Sequence, residues 1–155
     1  MIIAIGANHH GYEVREMLIE LLRQCGHEVL DFGVGDDRPV DYPDVAATVA
    51  RKVGRKEADR GILISGSGLG MCIAANKVSG VRAVLCHDGM TAEMSRRHND
   101  ANVLCLAAGM VGENFIRHIV VTWINAPFDG GCYSRQVEKI ALLECGDVPQ
   151  SEDRP

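Results

Sequence analysis

Apolar and polar positions along this chain follow two periods. Short runs of mostly β-branched or large aliphatic residues, at 2–6, 27–32, 61–65, 81–86 and 102–107, have the length and composition of strands. Between them, apolar residues recur at helical spacing. Residues 11–24 place Val14, Met17, Leu18, Leu21 and Leu22 on one face, and Gly26 stops that helix. Further helices are predicted over 43–56, which Pro43 can open, and from the glycines at 66–70 to about Lys77. The pattern continues with helices over 89–97, about 112–125 and about 133–145.

Five strands separated by helices predict a parallel sheet covered on both faces. The expected fold is a single α/β domain over 1–146, a three-layer α/β/α sandwich of Rossmann-like type, with a flexible polar tail at 147–155. In such sheets ligands sit beyond the carboxyl ends of the strands. The loops at 7–11, 33–42, 65–70, 86–89 and 107–112 should therefore share the functional edge.

Composition narrows the class. A chain of 155 residues, 46% hydrophobic and 24% charged, can bury one sizeable core. Its net charge of −5 speaks against nucleic acid or an anionic membrane as partner. No apolar run reaches the roughly 18 residues of a membrane span. The first residues lack a basic segment and a cleavage site, so cytoplasmic residence is the expectation. None of the six cysteines lies in a C-x-x-C pair, which removes the zinc-knuckle and thioredoxin readings. Cys86 and Cys105 sit in or beside apolar runs and should be buried packing residues.

Four segments carry candidate chemistry. The most informative runs from Gly61 to Lys77, where Ile62, Leu63, Ile64 and Ser65 lead into Gly66, Ser67, Gly68, Leu69 and Gly70. That is a strand, a tight glycine turn and a helix start, where backbone N–H groups can meet an oxygen-rich ligand. The spacing is not that of a dinucleotide fingerprint, and no Walker lysine follows. Asn8, His9 and His10 end the first strand, where a histidine can touch a ligand or simply cap a helix. His98, in Ser95-Arg96-Arg97-His98-Asn99-Asp100, ends a helix; imidazole suits proton transfer near neutrality, and a surface role is the plainer alternative. Asp129-Gly130-Gly131-Cys132-Tyr133-Ser134-Arg135 forms a glycine-bearing turn into the last helix.

Together these pieces resemble the ribose-5-phosphate isomerase B family, which includes the galactose-6-phosphate isomerase subunits. The match runs from Ile5-Gly6-Ala7-Asn8-His9 through the Gly-x-Gly-x-Gly block to Ala74-Ala75-Asn76-Lys77, His98-Asn99-Asp100-Ala101-Asn102 and Gly130-Gly131. The resemblance implies a metal-free, cofactor-free aldose–ketose isomerase acting through a cis-enediolate on a sugar or sugar phosphate. It implies a homodimer or homotetramer with sites between subunits. It implies that His98 opens the sugar ring and that the N–H groups of Gly66 to Gly70 hold the enediolate. Asn8, His9, Tyr42 and Asn99 fall at substrate-binding positions, Arg135 falls beside one and is assigned to the substrate, and Ser65 falls at a catalytic one.

Departures from the pattern are informative. Ser65 stands where many members carry a cysteine base, and Met71 where others carry a glutamate. Asn8 replaces an acid. Met110, Cys132 and Gln136 stand where the family places phosphate-holding arginines, and Tyr133 replaces a histidine; Arg135 is one residue off register. Three readings follow: a ribose-5-phosphate isomerase, an isomerase of an unphosphorylated or different sugar, and a non-catalytic paralogue or one subunit of a mixed oligomer.

Overall fold

The short apolar runs form a sheet, and the helical runs cover it. The computed structural model describes residues 1–33 and 40–146. Strands β1 (Ile2–Ala7), β2 (Glu28–Asp31), β3 (Arg60–Ser65), β4 (Ala83–Leu85) and β5 (Val103–Ala107) pair in the order β2-β1-β3-β5-β4, every pair parallel. Helices α1 (Tyr12–Gln24), α2 (Tyr42–Gly54), α3 (Leu69–Ala75), α4 (Gly89–Asn99) and α5 (Glu113–Asn125) follow the strands, and α6 (Cys132–Glu144) follows α5. One 3-10 turn, His9–Gly11, precedes α1. This is the five-stranded parallel α/β architecture expected from the pattern. The loop predicted at 33–42 falls largely outside the described residues, and the tail at 147–155 lies wholly outside them.

A parallel sheet buries both faces, so alternate residues of its central strands feed two cores. On one face Ile3, Ile5, Ile62, Ile64, Leu104 and Leu106 meet Leu18 and Leu22 of α1 and Ile116, Val120 and Trp123 of α5. On the other, Ala4, Leu63, Val103 and Cys105 meet Val45, Val49 and Val53 of α2 and Met71 and Ala75 of α3. Cys86 and Cys105 are buried free thiols, as expected.

Some boundaries differ from the pattern, each for a local reason. α3 ends at Ala75, short of Lys77, because Asn76 turns inward. Its amide donates to the Cys72 carbonyl at 3.0 Å and the Ala83 carbonyl at 2.8 Å, and its oxygen accepts from the Ala83 N–H at 2.9 Å. β4 begins only at Ala83, since the Arg82 N–H goes to Asn102 Oδ1 at 2.8 Å.

α6 is set apart from the rest. None of its residues is buried. At its approach, Arg97 Nε donates to both Asp129 carboxylate oxygens at 3.1 Å. At its far end, Glu144 accepts from the Ser79 hydroxyl at 2.6 Å and the Gly80 N–H at 2.9 Å. In its last turns Ile140, Leu142 and Leu143 are 41%, 44% and 57% exposed. An amphipathic helix that buries so little against its own domain presents an apolar surface outward. No helix among the described residues is long and apolar enough to cross a membrane.

Candidate active site

β2 lies on one side of β1 and β3 on the other, so the strand order reverses between β1 and β3. The carboxyl ends of these two strands open the crevice where such sheets take ligands. The loop leaving β1 is stitched to β3. Asn8 N–H donates to the Ile64 carbonyl at 3.2 Å, and the Asn8 carbonyl accepts from Gly11 N–H at 2.9 Å. Only glycine fits at position 11, where a Cβ would stand 2.6 Å from Ile64 Cγ2. Asn8 is 8% exposed, yet its Oδ1 has no hydrogen-bond partner, and the buried Nδ1 of His9 has none either. Leaving a buried polar atom unpaired costs about 1–3 kcal/mol. Two at one strand end suit a hydroxyl-bearing ligand.

The glycine turn faces Asn8 and His9 across the crevice. Ser65 Oγ accepts the Gly68 N–H at 3.0 Å, which folds the turn back on the end of β3. Gly68 has φ +72°, and a Cβ there would meet Leu85 Cδ1 at 2.5 Å. The Ser65 and Gly66 carbonyls accept from Ala108 and Gly109 N–H, each at 2.9 Å. With those carbonyls engaged on the β5 side, the turn offers donors. The N–H groups of Leu69, Gly70 and Met71 open α3 and have no acceptor within it. The Tyr42 ring lies against Gly70, 2.6 Å from where a Cβ would stand, and walls one side.

Neither residue flanking the turn is free to act as a carbon base. Met71 is fully buried in the core, and the Ser65 hydroxyl is engaged with Gly68. Cys72 is half-buried, with its thiol 3.5 Å from the Ala83 carbonyl on β4 and 3.7 Å from Asn76 Nδ2. A hydrogen bond from the Cys105 thiol, aided by Asn76 and opposed by burial, brings the Cys72 pKa down to about 7.

His98, Asn99 and Arg135 stand elsewhere. α4 starts after the carboxyl end of β4 and finishes before the amino end of β5, so His98 lies at the amino edge of the sheet. β5 has five residues; at about 3.3 Å each, the two edges are roughly 16 Å apart. The His98 imidazole stacks on Tyr133, with ring centroids 4.2 Å apart and planes at 11°. Asn99 and Arg135 are exposed nearby on α4 and α6. The residues assigned to one site thus divide. Asn8, His9, Tyr42, Ser65 and the residues from Gly66 to Gly70 share the carboxyl edge. His98, Asn99 and Arg135 share the amino edge, out of reach of their own chain's glycine turn.

The rest of the His98 motif is structural. Asp100 adopts φ +47°, and its carboxylate pairs with Arg82 and Arg96, each at 2.8 Å. Arg96 also donates to the Ala101 carbonyl at 2.6 Å. Arg60 donates to the Trp123 and Ile124 carbonyls at 2.9 and 2.7 Å. Burial, with Arg96 nearby, lowers the Arg60 pKa to about 10. These guanidiniums close the carbonyl ends of α4 and α5, where cations are favoured. Arg60, Arg82 and Arg96 were not among the residues singled out by sequence. Their signal was position, a basic residue opening a strand or closing a helix.

A cavity of about 450 Å³ adjoins the turn, lined by His9, His10, Tyr12, Glu13, Val111 and Glu113 among others. A larger one, about 590 Å³, lies between α6 and the amino end of β4, away from the glycine turn. We place the chemistry at the smaller, because it adjoins the donors and the unpaired Asn8 and His9 atoms. Among the described residues no three His, Cys, Asp or Glu side chains group as metal ligands.

The sequence model of the Ribose/Galactose Isomerase family matches residues 3–140. The chain belongs to the ribose/galactose isomerase family. This member is 41% identical to ribose-5-phosphate isomerase B of Escherichia coli strain K12, over 92% of this chain and 95% of that one. It is 40% identical to D-erythrulose-4-phosphate isomerase of Pectobacterium atrosepticum, over 92% and 94%. The solved structure of Clostridium thermocellum ribose-5-phosphate isomerase B superposes with a TM-score of 0.92 at 46% identity, covering 94% of this chain and 99% of that one. The family resemblance drawn from the sequence motifs is borne out, and with it the assignment as an aldose–ketose isomerase.

Proposed function

We propose that this isomerase interconverts ribose 5-phosphate and ribulose 5-phosphate, or a close relative of that pair, as a cytoplasmic homo-oligomer with sites shared between chains. The glycine turn carries the reading: a ring of backbone donors at the strand-order reversal is suited to the oxyanion of a cis-enediolate. The proton shift is redox-neutral within the sugar, so the route needs no cofactor. Asn8 and His9 take substrate hydroxyls, Tyr42 bounds the sugar, and Ser65 holds the turn in shape. His98, from a second copy, opens the sugar ring by proton transfer. Asn99 and Arg135 come with it, and Arg135 suits a phosphate.

The roughly 16 Å between edges is what supports the shared site. A second chain, docked through the exposed face of α6, brings its imidazole to the first chain's turn. Mixing His98→Ala and Gly68→Val proteins, each inactive alone, should then restore activity. In a dimer with random exchange, half the molecules are mixed and each keeps one intact site, so about a quarter of wild-type activity returns. No recovery after verified subunit exchange would rule out the shared site.

One observation favours a second reading, an uncharged sugar. Among the described residues, those lining the cavity beside the turn include Glu13 and Glu113 but no arginine or lysine, and Met110 on the β5 loop is 70% exposed. Comparing kcat/KM for ribose 5-phosphate with that for a panel of free aldoses separates the two. A preference for the phosphate ester supports the first, and a preference for a free sugar supports the second.

A further inference from the structure

An isomerase working through an enediolate needs a base at the sugar carbon above the turn. Ser65 is 7% exposed with its hydroxyl engaged, Met71 is buried, and the Cys72 thiol on α3 is turned to the Ala83 carbonyl of β4. Across the crevice, the 3-10 turn after β1 lays His10 over the first residue of the glycine turn. Its Cβ, Cγ and Cδ2 are each 3.7 Å from the point a Cβ on Gly66 would occupy, an ordinary contact distance. His10 is solvent-exposed. His9 backs its ring, with centroids 4.0 Å apart and planes at 45°. Tyr12, Glu13 and Glu113 line the same cavity of about 450 Å³, and the two carboxylates can offset positive charge that forms there.

We propose that His10 is the catalytic base that moves the proton between C1 and C2, a role that rests on the aldose–ketose isomerase reading. The neutral imidazole takes the proton from C2 of the open-chain aldose. The C2–H pair becomes the C1=C2 bond, and the carbonyl pair moves onto O1, held by the turn's N–H groups. The O2 proton passes to O1, and the O2 pair re-forms a carbonyl at C2. The C1=C2 pair then takes the proton back from the imidazolium at C1. No proton or electron is gained or lost overall. Because His10 faces solvent, its borrowed proton exchanges with water before return.

The test uses the full chain in D₂O with ribose 5-phosphate and, separately, free ribose. Wild type should place deuterium at C1 of the ketose. His10→Ala and His10→Gln should each lower kcat by about 10²–10⁴-fold while KM stays within a few-fold. The cavity has room for a small heterocycle, so added imidazole should restore exchange in His10→Ala. The restored rate should rise with the basicity of substituted imidazoles, which a merely structural role would not produce. Full activity in His10→Ala overturns the assignment and leaves the isomerase reading standing. A loss that no imidazole restores, in a folded variant, does the same. A wild-type chain that exchanges with neither sugar overturns both.

Discussion

At the carboxyl edge of the sheet, Asn8 Oδ1 and His9 Nδ1 are buried without partners, and the N–H groups that open α3 have no acceptor within the helix. At the amino edge, Asn76, Asp100 and Asn102 spend their side chains on backbone and arginine partners. Both edges are rich in motif residues, so composition alone does not distinguish them. The difference lies in where the open groups sit: at the amino edge Arg96 Nε and Trp123 Nε1 are unpaired inside the packed scaffold, whereas Asn8 and His9 border the crevice. Polar groups that complete one another hold the fold, and open ones beside a crevice suit a ligand. His98 is the exception: it stands at the amino edge, and the shared site proposed above has it serve the carboxyl edge of another chain.

Substitutions at the two edges should separate activity from stability. The largest effect is expected for His98→Ala, which should lower kcat/KM on a cyclic sugar by about 10²–10⁴-fold. Its urea midpoint should barely move, and a large midpoint shift would place His98 with the structural residues. Asp100→Ala should do the reverse. It strands Arg82 and Arg96, and since Asp100 is a third exposed the loss should be about 2–3 kcal/mol, below that for a fully buried pair. Asp100→Asn keeps a residue tolerant of positive φ and should lose less. Turnover per folded molecule should stay near wild type in both.

Asn76→Ala removes the clamp between α3 and β4 and should cost about 1–2 kcal/mol in unfolding measurements. The smallest effect concerns helix starts. Asp88 caps α4, accepting the Thr91 N–H at 2.8 Å, whereas no side chain caps α3 through its Gly68 N-cap. That backbone N–H, first among several causes, holds the Asp88 carboxyl below its ordinary range. Its contribution is therefore present above the unfolded-state pKa of about 3.9 and is lost as pH falls through the lower folded value. Asp88→Ala should be less stable than wild type at neutral pH, and the gap should close in acid. A gap that persists at low pH would mean the carboxylate charge is not what stabilises α4.

Much of this was legible in the sequence. The unbroken apolar runs Ile3-Ala4-Ile5 and Ile62-Leu63-Ile64, separated by helices, reported two buried faces, and the residues from Gly66 to Gly70 announced the turn. The placement of His98 was also available: a residue between a helix end and a strand start lies at the amino edge of any such sheet. What the pattern did not carry were long-range partners. Asn76 reads as a helix terminator until β4 arrives to receive its amide. Asp100 reads as part of a catalytic motif until Arg82 and Arg96 close on it. The apolar residues of α6 look like core positions, because periodicity says which face is apolar but not what covers it.

Trp123 is the chain's only tryptophan. It is fully buried, with Arg60 and Arg96 at 5.2 and 5.9 Å from its ring centre. The molecule therefore carries a single built-in optical reporter, placed among the arginines of the amino edge. Its emission should follow the melting of the amino edge. Fluorescence will thus measure whether this edge of the scaffold stands.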